Sequence, residues 1–231
     1  MRPFTSAILV AAGSSTRMGL PFSKQFIPLS GVCAIEHTVR AFQQCDDIDE
    51  IVIVLRSEDM EMLDEIFDYS KVTSVVRGGD TRAQSVSNGV RAANSNAAFY
   101  AIHDGARPLI TSEEISRVVT RGYETGAATL GTPLTDTVKV VGEDGVIVST
   151  PDRASMRSVQ TPQVFSREIY TRALDNARAH GLSFTDDCAL VEAIGVPAVV
   201  VTGEYTNIKL TTRTDIAHAE AILSQRREQM P

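Results

Sequence analysis

The chain has 231 residues, which at roughly 150 per domain makes one large domain or one domain with an appendage; two full domains would be cramped. Its 43% hydrophobic and 22% charged residues are ordinary globular values, sufficient for a core that needs no disulfide or metal staple. With 22 basic and 29 acidic side chains the net charge is −7 and the pI near 5.1, which argues against a surface that holds nucleic acid by bulk electrostatics.

Short β-branched runs alternate with amphipathic segments along nearly the whole length, the pattern of parallel strands joined by crossover helices. The fold expected is α/β, a Rossmann-like, mostly parallel sheet flanked by helices. The first strand covers 7–12, and a Gly- and Ser-rich stretch with Pro21 and Pro28 delays the first helix until about Ala34. Strands follow at 50–55 and 72–76, then a helix marked by Val86 and Val90, then a strand at 99–103. Ile115, Val118, Val119 and Tyr123 fall at helical spacing behind a Thr111/Ser112 cap, with Glu113 and Glu114 in the first turn where carboxylates favour the helix dipole. The next strand is 127–131. Two β-like runs, 137–141 and 146–149, are separated by GEDG and read as a hairpin with a four-residue loop. An isolated hairpin is marginal in water, so it leans on its own sheet or reaches another subunit. Ile169, Ala173 and Leu174 mark a further helix, 198–201 a strand, and 215–229 the C-terminal helix. No linker interrupts the pattern, so a single domain is expected over 1–231.

Cys33, Cys45 and Cys188 are an odd count without CxxC spacing, which suggests neither a disulfide framework nor a thiolate zinc site and fits a reducing cytoplasm. The longest apolar runs, 7–12 and 196–201, fall far short of the ~18 residues of a membrane span. The four histidines lack metal-ligand spacing: His37 and His218 lie on helices, His180 ends one, and His103 abuts Asp104.

The chemistry is concentrated after the first strand, in AAGSSTRMGLPFSKQF. Small residues let backbone N–H groups approach an anion, and Arg17 and Lys24 supply charge from either side, so Ala11, Ala12 and Gly13 open a candidate phosphate cradle. A Walker loop is excluded, because counting from Gly13 puts Met18 and Gly19 where its second glycine and lysine belong. A dinucleotide fingerprint is excluded as well: the helix opens too late, and Leu55 is followed by Arg56 where an acid is required. Asp104 lies just past a central strand, where α/β sheets place ligand-binding groups, and its carboxylate suits a hydroxyl or Mg²⁺. Pro108 fixes the turn after Arg107, whose guanidinium suits bidentate phosphate recognition. Gly79, Asp80 and Ser85 offer backbone and hydroxyl groups for a base edge. Lys209 sits in a short apolar strand, where an inward ammonium needs an anion to offset its desolvation.

These segments together resemble the 2-C-methyl-D-erythritol 4-phosphate cytidylyltransferases, within the sugar-phosphate nucleotidyltransferase superfamily. The loop ending in Lys24-Gln25-Phe26, GGDTRAQSV from Gly78, HDGARP from His103, DTVK from Asp136, Asp152-Arg153, QTPQVF from Gln160, TDD from Thr185 and NIKLT from Asn207 stand in the family's order, and the resemblance covers essentially the whole chain. Gly105 departs from the family's alanine.

The resemblance implies transfer of a cytidylyl group from CTP to methylerythritol phosphate, with pyrophosphate as leaving group. It implies Arg17 and Lys24 as stabilisers of charge on the α and β phosphates, and Arg153 and Lys209 as holders of the incoming phosphate. Asp104, Arg107 and Thr137 would orient the substrate, and Gly79, Asp80 and Ser85 would hold the cytosine. Mg²⁺ is expected mainly on the triphosphate oxygens, with Asp104 a candidate ligand. The family's arm, which corresponds to about 132–163 here, crosses into a twofold partner, implying a homodimer in which Thr137 and Arg153 serve the neighbour's site. Other readings are a ribitol 5-phosphate cytidylyltransferase and a nucleotide-binding regulator without catalysis, against which retention of both Arg17 and Lys24 speaks. Neither nucleic acid nor membrane is expected as a partner.

Overall fold

The β-branched runs become strands, and the amphipathic runs cover them on two sides. A computed structural model describes residues 2–13, 23–63 and 69–229. Its strands are β1 Thr5–Val10, β2 Pro28–Leu29, β3 Val32–Cys33, β4 Glu50–Leu55, β5 Val72–Arg77, β6 Phe99–Asp104, β7 Ala127–Pro133, β8 Val140–Val141, β9 Ile147–Ser149, β10 Arg157–Ser166 and β11 Val199–Thr202. Its helices are α1 Ala34–Gln44, α2 Arg82–Ala92, α3 Ser112–Thr125, α4 Arg167–His180, α5 Asp187–Glu192 and α6 Arg213–Glu228.

Seven strands build one sheet in the order β11-β7-β10-β6-β1-β4-β5. Its pairings are parallel except those of β10, which runs antiparallel between β6 and β7. Successive residues of β1 serve opposite faces: Ala7 and Leu9 pack with Phe42 of α1 and Ile115 and Val119 of α3, whereas Ile8 packs with Val86 of α2 and Tyr170 and Ala173 of α4. Burial on both faces is why these strands are continuous apolar runs rather than alternating ones. The α3 cap forms as the sequence predicts, with Thr111 and Glu114 in a capping box. Helix α6 seals one end, where Ala219 packs with Ile27, Leu29, Leu109 and Leu210 and Glu220 accepts hydrogen bonds from the Ser30 N–H and hydroxyl, each at 2.7 Å.

Several expectations change. Strand β10 is absent from the sequence reading because Gln160, Pro162 and Gln163 break its apolar run. Its register with β7 shifts between Val159 and Gln163, so Pro162 falls where the ladder is interrupted and no donor is required. Gln163 is buried but employed, accepting from the Asp187 and Cys188 N–H groups and donating to Asp186. The short helix α5 was not expected either; Asp186 caps it by accepting from the Ala189 N–H. The residues around Lys209 form no strand; their extended backbone is tied in through Leu210 N–H to Ala106 carbonyl at 2.8 Å. The hairpin exists in shortened form, as β8 and β9, and it does not bury its aliphatic residues: Val140, Val141, Val146, Ile147 and Val148 are 45–69% exposed.

Candidate active site

Chain order around the sheet creates the site. From β1 the chain builds outward through β4 and β5, then returns to place β6 on the other side of β1, and α/β sheets open a ligand crevice at such a switch point beyond the carboxyl ends of the strands. Val10 is level with Asp104 in the β1–β6 register, so both strands end at the same height. A cavity of about 350 Å³ opens there. Ala11, Ala12 and Gly13 line it from the end of β1, and Lys24 from the far end of the basic loop. Gly79, Asp80 and Ser85 line it from the segment after β5; Asp104 and Lys209 complete it.

Close approach explains the glycines after β5. A Cβ on Gly78 would lie 2.3 Å from the Cβ of Ala12, so only glycine lets this segment touch the end of β1. Ser85, 3% exposed, accepts from the Gly79 N–H at 3.1 Å and donates to the Thr81 carbonyl at 3.0 Å, which fixes the loop's shape. Thr81 and Gln84 then close a capping box that starts α2.

Asp104 is the electrostatic centre. Its Oδ2 is 2.6 Å from Lys209 Nζ and its Oδ1 3.5 Å from Arg82 Nε. Burial disfavours the charged form, but Lys209 and Arg82 outweigh it and hold the Asp104 carboxyl well below the usual carboxylate range. The anion that Lys209 requires is therefore Asp104 itself. Arg82, which lines the cavity, is one residue of this site that sequence reasoning missed. It lies inside GGDTRAQSV and reaches both Asp104 and, at 2.7 Å, Asp187. A guanidinium one residue past a helix cap was the available signal.

A buried relay fixes the turn after β6. The Arg107 carbonyl can only accept, so His103 Nε2, 3.2 Å away, carries the imidazole hydrogen. Nδ1 is then the acceptor and takes the Thr161 hydroxyl proton at 3.0 Å, while Thr161 Oγ1 accepts from the Asp104 N–H at 3.0 Å. Arg107 Nη1 in turn donates to the Asn207 carbonyl at 2.7 Å, joining this turn to the segment that carries Lys209. Arg107 is not among the residues lining the cavity; its guanidinium stands behind it as a strut. Thr137 and Arg153 lie on the arm, both exposed, with Arg153 Nη1 donating to the Thr135 carbonyl at 2.5 Å, and neither lines the cavity. Arg17 lies outside the described residues.

A larger cavity, about 490 Å³, lies between α2, α4 and α5 and shares Arg82 with the first. Its walls include Tyr170, Leu174 and Phe184, and the backbone cradle, Lys24 and Lys209 all belong to the smaller one. The chemistry follows the residues rather than the volume.

Comparison with known proteins agrees with this geometry. The model of the 2-C-methyl-D-erythritol 4-phosphate cytidylyltransferase family matches residues 5–225. The chain belongs to this family. The cytidylyltransferase of that name from Desulforamulus reducens is 41% identical over 224 residues, covering 95% of this chain and 96% of the relative, and that from Symbiobacterium thermophilum is 43% identical over 225 residues, covering 97% and 94%. Among solved structures, the 4-diphosphocytidyl-2C-methyl-D-erythritol synthase of Anaerococcus prevotii superposes with a TM-score of 0.87 at 32% identity, covering 96% of each chain. The cytidylyltransferase of Thermus thermophilus gives 0.77 at 30% identity, over 96% of this chain and all of that one.

Within the cytidylyltransferase family's pattern, Gly105 has a local reason in this chain: a Cβ there would lie 2.8 Å from that of Ala11 and 3.0 Å from Ile35 Cδ1. Metal binding by the protein fits poorly. Asp80 and Asp104 are the carboxylates lining the cavity, both oxygens of Asp104 already face cations, and the described residues contain no group of three His, Cys, Asp or Glu able to hold a metal ion.

Proposed function

We propose that this chain transfers the cytidylyl group of CTP to 2-C-methyl-D-erythritol 4-phosphate, giving 4-diphosphocytidyl-2-C-methyl-D-erythritol and pyrophosphate, a step of non-mevalonate isoprenoid precursor synthesis in the cytoplasm. The observation that carries this reading is the convergence of Ala11–Gly13, Lys24, Gly79–Asp80, Asp104 and Lys209 on one cavity. A phosphate oxygen of the sugar alcohol phosphate attacks the α-phosphorus in line; the new P–O bond forms as the bond from the α-phosphorus to the oxygen bridging to the β-phosphorus breaks, and that electron pair leaves on pyrophosphate. The attacking phosphate is already an anion at neutral pH, so positioning and charge stabilisation replace general-base catalysis. Arg17 and Lys24 stabilise charge on the α and β phosphates, while Lys209 and Arg153 hold the attacking phosphate. Gly79, Asp80 and Ser85 hold the cytosine, Ala11 to Gly13 the phosphates, and Asp104, Arg107 and Thr137 orient the reactants. Mg²⁺ brought by CTP would supply further charge neutralisation at the triphosphate.

The assay is pyrophosphate release from CTP with methylerythritol phosphate and, separately, ribitol 5-phosphate. Release with the first alone is the expected result. Preference for ribitol 5-phosphate, or no release with either, would overturn the proposal.

The active unit in this reading is a homodimer joined through the arm. Five exposed aliphatic side chains on β8, β9 and the turn between them support it, since burying them against a twofold copy removes apolar surface from water. So does the position of Thr137 and Arg153, which line neither of the two cavities described above. Wild-type protein is expected to sediment as a dimer, and mixing Arg17→Ala with Arg153→Ala subunits to restore part of the activity. Verified heterodimers that stay inactive would count against shared sites.

A further inference from the structure

Arg56 follows β4 at the position where a dinucleotide fold carries an acid, and the transfer chemistry gives it no task. Its guanidinium forms a fork on Asp59, with Nε 2.9 Å from Oδ2 and Nη2 3.1 Å from Oδ1. The same Nη2 donates to the hydroxyl of Ser23. That hydroxyl passes its own proton to Asp59 Oδ2 at 2.5 Å. The triangle is closed, with Ser23 acting once as acceptor and once as donor; Ser23 is 0% and Asp59 3% exposed, while the Arg56 side chain stays 25% exposed. Glu58, further along the same turn, adds only a 3.2 Å contact from a largely exposed carboxylate.

What the triangle grips is the residue before Lys24. The Ser23 carbonyl accepts from the Phe26 N–H at 3.0 Å, closing the single turn Lys24–Phe26, and Gln25 donates from its side-chain amide to the Ala11 carbonyl. The backbone around Lys24 is therefore tied on one side to the end of β4 and on the other to the end of β1. A lysine side chain is long and flexible, so the reach of its ammonium is set by where its Cα is held, and displacement of a catalytic group by about 1 Å can cost ~10²-fold in rate.

We propose that Ser23, Arg56 and Asp59 are positioning residues of the cytidylyl transfer, a clamp on the end of β4 that sets the backbone from which Lys24 reaches the phosphates. This rests on the role given to Lys24 above. A clamp that merely stabilised the fold would lower the melting temperature without acting through Lys24, and a double-mutant cycle separates the two. Ser23→Ala is expected to lower kcat about tenfold with KM for methylerythritol phosphate unchanged, because Lys209 and Arg153 are untouched. On a Lys24→Ala background the same change is expected to lower kcat less than twofold. Arg56→Lys, which keeps the charge but loses the fork, provides a second route and is expected to behave in the same way. Unchanged kcat in both variants, or equal losses with and without Lys24, would overturn the clamp while leaving the transfer reaction standing. Wild-type protein that releases no pyrophosphate would overturn both.

Discussion

Replacing Lys24 with alanine is expected to lower turnover by about 10²–10³, roughly 3–4 kcal/mol of lost transition-state stabilisation. As the bond to the α-phosphorus breaks, negative charge grows on the leaving pyrophosphate, and a cation fixed beside it acts more strongly in the transition state than in the ground state. Fixation is the point. Lys24 is partly buried between Ser23 and Gln25, both buried, and its Nζ donates to the Leu210 carbonyl at 2.8 Å, so it stands preorganised in a lined cavity rather than sampling solvent. The effect should fall on kcat, with a smaller loss of CTP affinity, since in the proposed reading the Ala11–Gly13 backbone still holds the ground-state triphosphate. Single-turnover kinetics at saturating CTP, combined with a nucleotide titration, separate the two. Turnover near that of wild type would remove Lys24 from the charge-stabilising set. Arg17→Ala is expected to match it in size.

Why so much of this fold was readable, and where reading failed, follows from what each segment buries. Strands β1, β4, β6 and β7 face helices on both sides, so Ile51 to Leu55 or Ala101 to Ile102 admit little except apolar side chains and announce themselves. Strand β10 lies equally deep, yet Gln160 and Gln163 serve there as hydrogen-bonding struts to neighbouring backbone, which masks a central strand as a loop. Helix α5 is a single capped turn and a half, too short for periodicity to reveal. The arm showed the opposite problem: its β-branched residues predict strands longer than the two short ones that pair, and their side chains stay exposed on this chain.

The site divides in the same way. Residues that line the cavity with backbone, such as Gly13 and Gly79, are visible because small side chains in a polar loop have few other uses. Lys209 was legible as a cation in need of an anion, but its partner could not be named until Asp104, 105 positions away, arrived at 2.6 Å. Arg107 was read as a phosphate fork, but its hydrogen bond to the Asn207 carbonyl spans 100 positions, and no local pattern encodes that. Arg82, Thr161 and Asp187 were missed for the same reason: each is defined by a partner on a distant element.

His103 sets the second large effect, on stability rather than rate. Burial in the sheet interior, with 0% exposure, pushes its imidazole down to about 4, because an imidazolium there would lose its water. In the unfolded chain the same group titrates near 6.5. Between those values the unfolded state binds a proton that the folded state refuses, so the folded state loses stability as pH falls from about 6.5 toward 4 and gains it back as pH rises. A gap of that width corresponds to about 3 kcal/mol at 1.4 kcal/mol per tenfold. Protonation at Nδ1 would also remove the acceptor that takes the Thr161 hydroxyl proton, breaking that hydrogen bond in its present direction. Urea unfolding across pH 4–7 is expected to show His103→Gln losing about 3 kcal/mol less than wild type over this range, even though the variant starts from a lower stability at pH 7. Asp104 cannot produce that difference. Its folded value lies below the ordinary carboxylate range, so its contribution is complete above about pH 4 and is lost only in more acid solution. Parallel curves for the two proteins between pH 6.5 and 4 would mean that the ring takes up its proton in the native state after all, and that the relay from Asp104 through Thr161 to Arg107 is not held by a neutral imidazole.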